Sequence, residues 1–299
     1  TDVFKSGAKR LMKNGYLVMR VHTPADAGMV MDAIRNDINT FKDVTPGNTK
    51  PLVLGAFGAL ANAASFHCPS VRSIRTDAYI ACRPIFATVA SAIRKSTGQK
   101  YKLEQVIDRL RVSRKGGSKE TWHRDFSPSD NGTDSIYGGW YNPSSDPQYF
   151  SCVPRSHEDD VPLNRKGFSA EKKSDLVETE IVEGGVKTRL VNGRPVERVL
   201  VPQGCMIIFS ERILHEVTPQ KSPCLVRLHT AWRLTTSSTP LDSDIVEQLA
   251  DQSVILVKSG QIPSAYAKLH TVNHPHKLPE LDGVYIFPYH TYQPKTGKV

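Results

Sequence analysis

The sequence predicts a mainly β domain, a sandwich or barrel, with a layer of helices before it. The second half carries many short runs of branched and aromatic residues separated by turns, the pattern of an all-β sandwich or barrel. Two of these runs are joined by Asn192-Gly193, the dipeptide that most favours a tight hairpin. The first hundred residues instead space their apolar residues as helices do.

The first elements that the sequence predicts are a strand and a helix. Residues 15–21, GYLVMRV, are rich in branched and aromatic residues and predict a strand. Thr23 then suits the N-cap of a helix whose first position is Pro24. The apolar face of this helix is formed by Val30, Ile34, Ile38 and Phe41.

Two more helices are predicted before the β region. They cover CPSVRSIRTDAY (68–79) and RPIFATVASAIRKSTG (83–98), the second opened by Pro84 and closed by Gly98. The stretch 42–66 is rich in Gly, Ala and Asn and gives no assignment.

The β region is predicted from residue 101 to residue 235. The domain should therefore span residues 1–235. Residues 236–299 are predicted to form a C-terminal extension that packs on the same domain and could form a contact between subunits. The strand candidates are YKLEQVIDRLRVS (101–113), YFSCVP (149–154), ETEIVEGGVKTRLV (178–191), PVERVLVP (195–202), CMIIFSE (205–211) and CLVRLHTAWRLT (224–235).

Composition narrows the function classes. The net charge of +9 favours anionic partners, among them carboxylate metabolites and phosphates. No sequence feature indicates a nucleic-acid-binding motif, and no apolar run reaches the roughly 20 residues of a membrane span. Five scattered cysteines without a CxxC spacing favour neither a disulfide framework nor a structural zinc site. With no secretory signal evident, we expect a reducing, cytoplasmic location.

The stretch TWHRDFSP, residues 121–128, carries the most informative chemistry. His123 and Asp125 lie two positions apart at a predicted strand end, so their side chains point to the same side. Taken alone, this pair suits a metal ion, a proton relay or a surface contact. His215, after the apolar run CMIIFS, offers a third ligand. Two histidines and one carboxylate form the facial triad that leaves positions open on Fe(II), where a chelating 2-oxo acid and O2 could bind.

A cation is needed to hold the far carboxylate of such a co-substrate. Arginine suits this role because its planar guanidinium grips a carboxylate with two hydrogen bonds. Arg227, His229 and Arg233 share strand parity, so all three should face inward if one does. Arg227 is the first choice because it lies closer to His215, and Arg233 is the reserve.

With these motifs in place, the sequence resembles the phytanoyl-CoA dioxygenase-like branch of the Fe(II)/2-oxoglutarate oxygenases. The resemblance covers about residues 12–235. It rests on KNGYLVMRVHTPADAGMVMDAI, TWHRDF, YFSCVPRSHED and VPQGCMIIFSERILHEVTPQKSPCLVRLHTAWR.

The resemblance implies a double-stranded β-helix, that is, a jelly-roll core. It also implies iron on His123, Asp125 and His215, 2-oxoglutarate on Arg227, and O2 and a small molecule as the other substrates. The chain departs from the family pattern at Arg155, where a glycine is usual, and at Val217, where a small hydroxyl residue is often found.

Other readings stay open at this stage. A jelly-roll that has lost catalysis could serve as a binding or assembly protein, and the same cage could hold a different metal. Trp140 could cover the substrate pocket or simply pack, and His157 is expected to fix a turn. Arg109, Arg111 and Ser113 could contact substrate or form a solvated strand face, and the NHPHK segment (273–277) is expected in a surface loop.

Overall fold

The computed structural model describes residues 2–43, 69–114, 120–125, 135–159, 176–183, 186–217 and 224–236. Its helices are α1 (Asp2–Asn14), α2 (Pro24–Asp43) and α3 (Pro69–Thr97). Its strands are β1 (Tyr16–Arg20), β2 (Lys102–Arg114), β3 (Glu120–His123), β4 (Ser135–Tyr141), β5 (Gln148–Cys152), β6 (Glu178–Glu183), β7 (Val186–Val191), β8 (Arg194–Pro195), β9 (Glu197–Val201), β10 (Cys205–Ser210), β11 (His215–Val217) and β12 (Cys224–Thr235).

The strands form two antiparallel sheets of a jelly-roll, which confirms the predicted fold class. One sheet has the order β1-β10-β4-β12-β2 and the other the order β3-β11-β5-β9. From β2 to β5, and again from β9 to β12, successive strands alternate between the two sheets. This alternation winds the chain into a double-stranded β-helix, with an interior between the sheets. That interior is filled by apolar residues that include Trp140, Phe150, Ile207 and Phe209.

The helices cover the outer face of the five-stranded sheet, as the predicted helical layer requires. Their buried residues share one core with outward-facing residues of β4, β10 and β12. Members of this core from helices and sheet are Leu11, Ile34, Ile74, Phe86, Tyr137, Met206, Leu228 and Trp232. No helix in the described ranges combines the length and apolar character needed to cross a bilayer.

Helix α2 begins as its sequence predicts. The Thr23 hydroxyl accepts a hydrogen bond from the Asp26 backbone N–H at 3.2 Å and donates to the Asp26 carboxylate at 2.7 Å, which satisfies an otherwise unpaired first-turn donor. On the predicted apolar face, Ile34 is buried and Val30 is half-buried. The side chains of Ile38 and Phe41 lie outside the described residues.

Helix α3 is continuous, so the prediction of two separate helices is wrong. Pro84 lies inside it and removes the hydrogen bond to the carbonyl of Ile80. The Ile80 residue is 59% exposed, so this turn faces water. On the opposite side, Cys82 and Phe86 are buried in the same core, and this shared burial holds the two halves in one helix. Its end at Gly98, with φ +73°, is as predicted.

Most strands match the predicted candidates, but the short strands β8 and β11 were not among them. The run ETEIVEGGVKTRLV forms two strands, β6 and β7, rather than one. Strand β4 was not predicted because Gly138 and Gly139 weaken its strand signal. A side chain at 139 would lie 2.4 Å from the carbonyl oxygen of Ile207, so glycine permits the close approach of β4 to β10.

Strands β6–β8 form a small separate sheet. The turn at Asn192 and Gly193, with φ of 51° and 72°, confirms the predicted hairpin, since both residues take the left-handed conformation of a type I′ turn. A second small core, formed by Trp122, Val153, Val191 and Leu214, joins this sheet to strand β3 and the turn before β11.

Residues 237–299 lie outside the described residues. Three statements therefore stay predictions: the domain boundary at residue 235, the packing of the extension, and the position of NHPHK in a surface loop.

Candidate metal centre

The three predicted ligands meet at one end of the four-stranded sheet. His123 ends β3 and pairs across the strands with His215, the first residue of β11, and their ring centroids are 4.3 Å apart. The Nε2 atoms of His123 and His215 lie 3.5 Å and 3.4 Å from the two carboxylate oxygens of Asp125. One ligand atom from each residue lies within 4.8 Å of the others. The cluster has the dimensions and donors of a metal site.

The sequence suggested that His215 lies at the end of the apolar strand, but in the structure it does not. The strand β10 ends at Ser210, whose carbonyl accepts a hydrogen bond from Ile213 N–H at 2.9 Å. This turn carries the chain from the five-stranded sheet to the four-stranded sheet. Because His215 begins a new strand there, it lies opposite His123 rather than beside β4.

Both histidines are oriented by backbone carbonyls. His123 Nδ1 lies 2.7 Å from the carbonyl oxygen of Thr121, and His215 Nδ1 lies 3.0 Å from that of Ile213. A carbonyl only accepts, so each Nδ1 carries the hydrogen and donates. In the neutral imidazole the lone pair is then on Nε2, the atom that faces Asp125. This is the tautomer and the ring orientation that metal-binding histidines use.

The centre is apolar on one side and open on the other. His215 is buried and its ring lies against Phe150, at 5.3 Å and 29°, and against Phe209, at 5.0 Å. The Asp125 side chain is 28% exposed. Burial raises the pKa of Asp125, but protonated rings of His215 and His123 would place positive charges and Nε2–H donors beside its oxygens, and this effect outweighs burial and holds the pKa below its usual range. Asp125 is therefore a carboxylate at neutral pH.

Arg124, the residue between the two ligands of the motif, ties the centre to its surroundings. It is buried, donates to the carbonyls of Ser156 and Arg212, and pairs with Asp159 at 2.8 Å. The Ser156 hydroxyl in turn accepts the Leu214 N–H at 2.7 Å. The segment after β5 thus links the HxD motif to the turn before His215. Sequence reasoning missed this role, although a charged residue between two ligands could have signalled it.

The same segment carries the departure at Arg155. This residue has φ +67° and ψ 2°, the left-handed conformation that favours glycine. Its N–H donates to the Asn14 carbonyl at 3.0 Å, and its guanidinium pairs with Glu158 at 3.0 Å. His157 Nε2 donates to the Met12 carbonyl at 3.0 Å, so it fixes this turn against the end of α1, as expected from the sequence.

Arg189 of β7 braces the ligand strands from the other face of the sheet. It bonds both carboxylate oxygens of Glu216, one of them at 3.0 Å, and lies 5.2 Å from the ring of Trp122. Glu216 follows His215 and Trp122 precedes His123. One guanidinium therefore touches both neighbours of the two histidines, a contact that the sequence did not indicate.

Arg227 points into the barrel interior. Its guanidinium lies 4.1 Å from the ring centroid of Trp140, and its Nε donates to the Gln148 side-chain oxygen at 2.6 Å. Trp140 belongs to strand β4 and is buried. Of the two alternatives for Trp140, the structure therefore supports packing in the barrel interior.

The prediction that alternate residues of β12 face the barrel interior is confirmed where the side chains of this strand are described. His229 pairs with Trp140, and Arg233 pairs with Ile136, while Val226, Leu228 and Trp232 face the helices. Arg227 and Arg233 lie six residues apart, about 20 Å along the strand, so a single carboxylate can meet only one of them. Arg233 lies toward the metal end and Arg227 toward the base of the barrel.

The other predicted contact residues all lie on β2. Arg109, Arg111 and Ser113 pair with His229, Arg227 and Leu225 of β12. Their side chains, and that of Val217, lie outside the described residues, so their roles stay predictions.

No protein-family model and no curated protein sequence matches the chain. Solved structures do match it. The epimerase SnoN, in complex with Fe3+, alpha-ketoglutarate and nogalamycin RO, is 13% identical, with 77% of this chain and 83% of that chain covered and a TM-score of 0.51. The non-haem alpha-ketoglutarate-dependent carbocyclase SnoK is 14% identical, with 81% and 90% covered and a TM-score of 0.51. At such identities the likeness shows the shared jelly-roll fold.

Proposed function

We propose that this protein is a non-haem Fe(II)- and 2-oxoglutarate-dependent oxygenase, of the phytanoyl-CoA dioxygenase-like kind, that hydroxylates a small molecule. One observation carries the proposal. Two histidine Nε2 atoms and one carboxylate converge at one end of a jelly-roll, and an arginine is buried in the interior of the same barrel.

The donor set fits ferrous iron. His123, His215 and Asp125 supply two imidazole nitrogens and one carboxylate, the facial set that non-haem Fe(II) oxygenases use. Since the described part of the centre offers three ligands within 4.8 Å, further coordination positions are left for co-substrates. When bound, the iron, O2 and 2-oxoglutarate together supply the oxidation, with succinate and CO2 as products.

Arg227 suits the distal carboxylate of 2-oxoglutarate. Its partner Gln148 lies four residues from Cys152 on β5, and Cys152 pairs with His215. Four residues of strand span about 13 Å, so the guanidinium lies well below the metal centre. A co-substrate with a chelating group at one end and a carboxylate at the other would bridge the part of this distance that the side chains of His215 and Arg227 leave.

The protein also supplies an apolar wall on one side of the centre. Phe150 and Phe209 stack at 4.7 Å and both lie against His215. An apolar wall beside the iron keeps water away from reactive species, which is part of what the protein contributes to cofactor chemistry. The net charge of +9 supports an anionic substrate.

The solved structures support the reaction type but not its outcome. SnoN and SnoK are an epimerase and a carbocyclase on the same fold, so the fold does not choose the reaction. Hydroxylation rests instead on the family resemblance of TWHRDF and YFSCVPRSHED.

The test is 2-oxoglutarate turnover in the absence of a second substrate. We expect succinate release that requires both Fe(II) and 2-oxoglutarate and that is lost in His215→Ala. His157→Gln, a change to a histidine outside the centre, should keep the parent rate. Full turnover in His215→Ala, or no release by the parent, would contradict the proposal, and the second result would favour a binding or assembly protein.

A further inference from the structure

The base of the barrel holds a buried network of side-chain amides. Asn142 and Gln148 are both fully buried. Gln148 Nε2 donates to Asn142 Oδ1 at 2.7 Å and to the Val226 carbonyl at 2.9 Å. Asn142 Nδ2 donates to the Val201 carbonyl at 2.9 Å. Each donor of the network therefore meets an acceptor, as buried polar groups require.

This network fixes which end of Gln148 faces the arginine. The two partners of its nitrogen, Asn142 Oδ1 and the Val226 carbonyl, are acceptors, so the nitrogen must point to them. The oxygen is left facing Arg227 and accepts its Nε–H at 2.6 Å. The ring of Trp140 meets the guanidinium from one side at 4.1 Å. Gln148 thus sets the direction of the Arg227 guanidinium, and Trp140 sets its plane.

We propose that Gln148 is a positioning residue for Arg227 and a determinant of co-substrate binding. The inference rests on the proposed function, in which Arg227 holds the distal carboxylate of a 2-oxo dicarboxylic acid. Gln148 holds the guanidinium by one strong hydrogen bond while remaining neutral. This contact therefore does not itself neutralise the positive charge of Arg227.

Neutrality is the decisive property of Gln148. A carboxylate at this position would form a buried ion pair with Arg227, and such a pair is costly to break. The co-substrate carboxylate would then compete with a permanent partner for the same cation. An amide of the same size orients the guanidinium without this competition, since its oxygen carries only a partial charge.

The first test is Gln148→Glu, which keeps the shape, places a negative charge beside Arg227 and removes the amide N–H donors to Asn142 and Val226. Fe(II)-loaded protein is titrated anaerobically with 2-oxoglutarate, and the weak visible charge-transfer band of the complex is followed. We expect the Kd for 2-oxoglutarate to rise at least about tenfold, because a charge-assisted contact is weakened. The KM for 2-oxoglutarate in succinate release should rise similarly, while the rate at saturation changes far less. The Kd for Fe(II) without 2-oxoglutarate should stay within about twofold, since Gln148 does not touch the metal ligands.

Gln203→Glu is the matched control. Gln203 donates to the Pro143 carbonyl at 3.0 Å, near the same end of the barrel. Its replacement should leave 2-oxoglutarate binding unchanged. Gln148→Met tests the same point without a new charge. It removes the acceptor for Arg227 and should weaken 2-oxoglutarate binding severalfold. If Gln148→Glu does not fold, the methionine variant decides.

Two results would overturn the inference in different ways. If the parent binds 2-oxoglutarate and the folded Gln148 variants bind it within about twofold of the parent, Gln148 does not position Arg227 and the proposed function stands. If the parent itself shows no 2-oxoglutarate binding, the proposed function fails and this inference fails with it.

Discussion

Replacing Arg189 with methionine should weaken the metal centre although Arg189 touches no ligand. Its guanidinium bonds Glu216 and lies over Trp122, the neighbours of His215 and His123. Methionine keeps much of the length of the side chain and removes its charge and donors. The strands β3 and β11 should then be held less firmly against each other at the point where the two ligands pair.

The magnitude follows from the burial of the two partners. The Glu216 side chain is fully buried, whereas the Arg189 side chain is 34% exposed. Removing one partner of a buried ion pair costs about 3–5 kcal/mol. Because Arg189 is partly solvated, we expect a smaller loss, about 2–3 kcal/mol, in the free energy of unfolding. Disturbing residues that support metal ligands costs about tenfold to hundredfold in metal affinity, and we expect about tenfold here.

The assay is a double-mutant cycle. Urea unfolding and Fe(II) titration are measured for the parent, Arg189→Met, Glu216→Gln and the double variant. The neutral amide relieves the buried charge, so the double variant should be less destabilised than the two single changes added together, by about 1–2 kcal/mol.

Arg198→Met is the matched control for this cycle. Arg198 lies 3.7 Å from the ring of Tyr149, on a strand that carries no ligand, and an exposed contact of this kind contributes about 0.5–1 kcal/mol. Its loss should leave Fe(II) affinity unchanged. Strict additivity in the cycle, or an Fe(II) affinity in Arg189→Met equal to that of the parent, would refute the reasoning.

Three further variants test the packing and the pH response. Gly139→Ala should destabilise by about 2 kcal/mol, because the new methyl would lie 2.4 Å from the Ile207 carbonyl. Gly28→Ala, whose methyl meets nothing within 4 Å in helix α2, should instead stabilise by about 0.5–1 kcal/mol; urea unfolding checks both signs. Burial lowers the pKa of His157 below 6.5 against the opposing effect of the Met12 carbonyl, so below pH 6.5 the unfolded state binds more protons and stability falls with falling pH. His157→Gln should lose less stability between about pH 7 and pH 5.5 than the parent, and equal losses would count against a half-buried neutral imidazole.

The sequence predicted the parts of the fold that depend on local patterns. The alternation of β12 placed Arg227 and Arg233 on one face, and Asn192-Gly193 specified its hairpin, because both depend on neighbours along the chain. The sequence predicts two helices around Pro84, but helix α3 is continuous. Its continuity depends on the tertiary burial of Cys82 and Phe86, which outweighs the helix-breaking effect of the proline.

The metal ligands of the candidate site could be predicted from the sequence, but the residues that hold those ligands in place could not. His123 and Asp125 share a motif, and His215 could be placed by the apolar strand before it. The contacts of Arg124, Gln148 and Arg189 join segments far apart in the chain, so no local spacing reveals them. Strand β4 was missed for a related reason, since Gly139 is required by the approach of another strand and lowers the local strand signal.

His123, Asp125 and His215 should form one ferrous site. Anaerobic equilibrium titration of the full chain with Fe(II) measures this, with Asp125→Ala and His215→Ala measured beside the parent. We expect one Fe(II) bound per parent chain and at least about a hundredfold weaker binding in each variant. Parent-like Fe(II) affinity in either variant, or no Fe(II) binding by the parent, would contradict it.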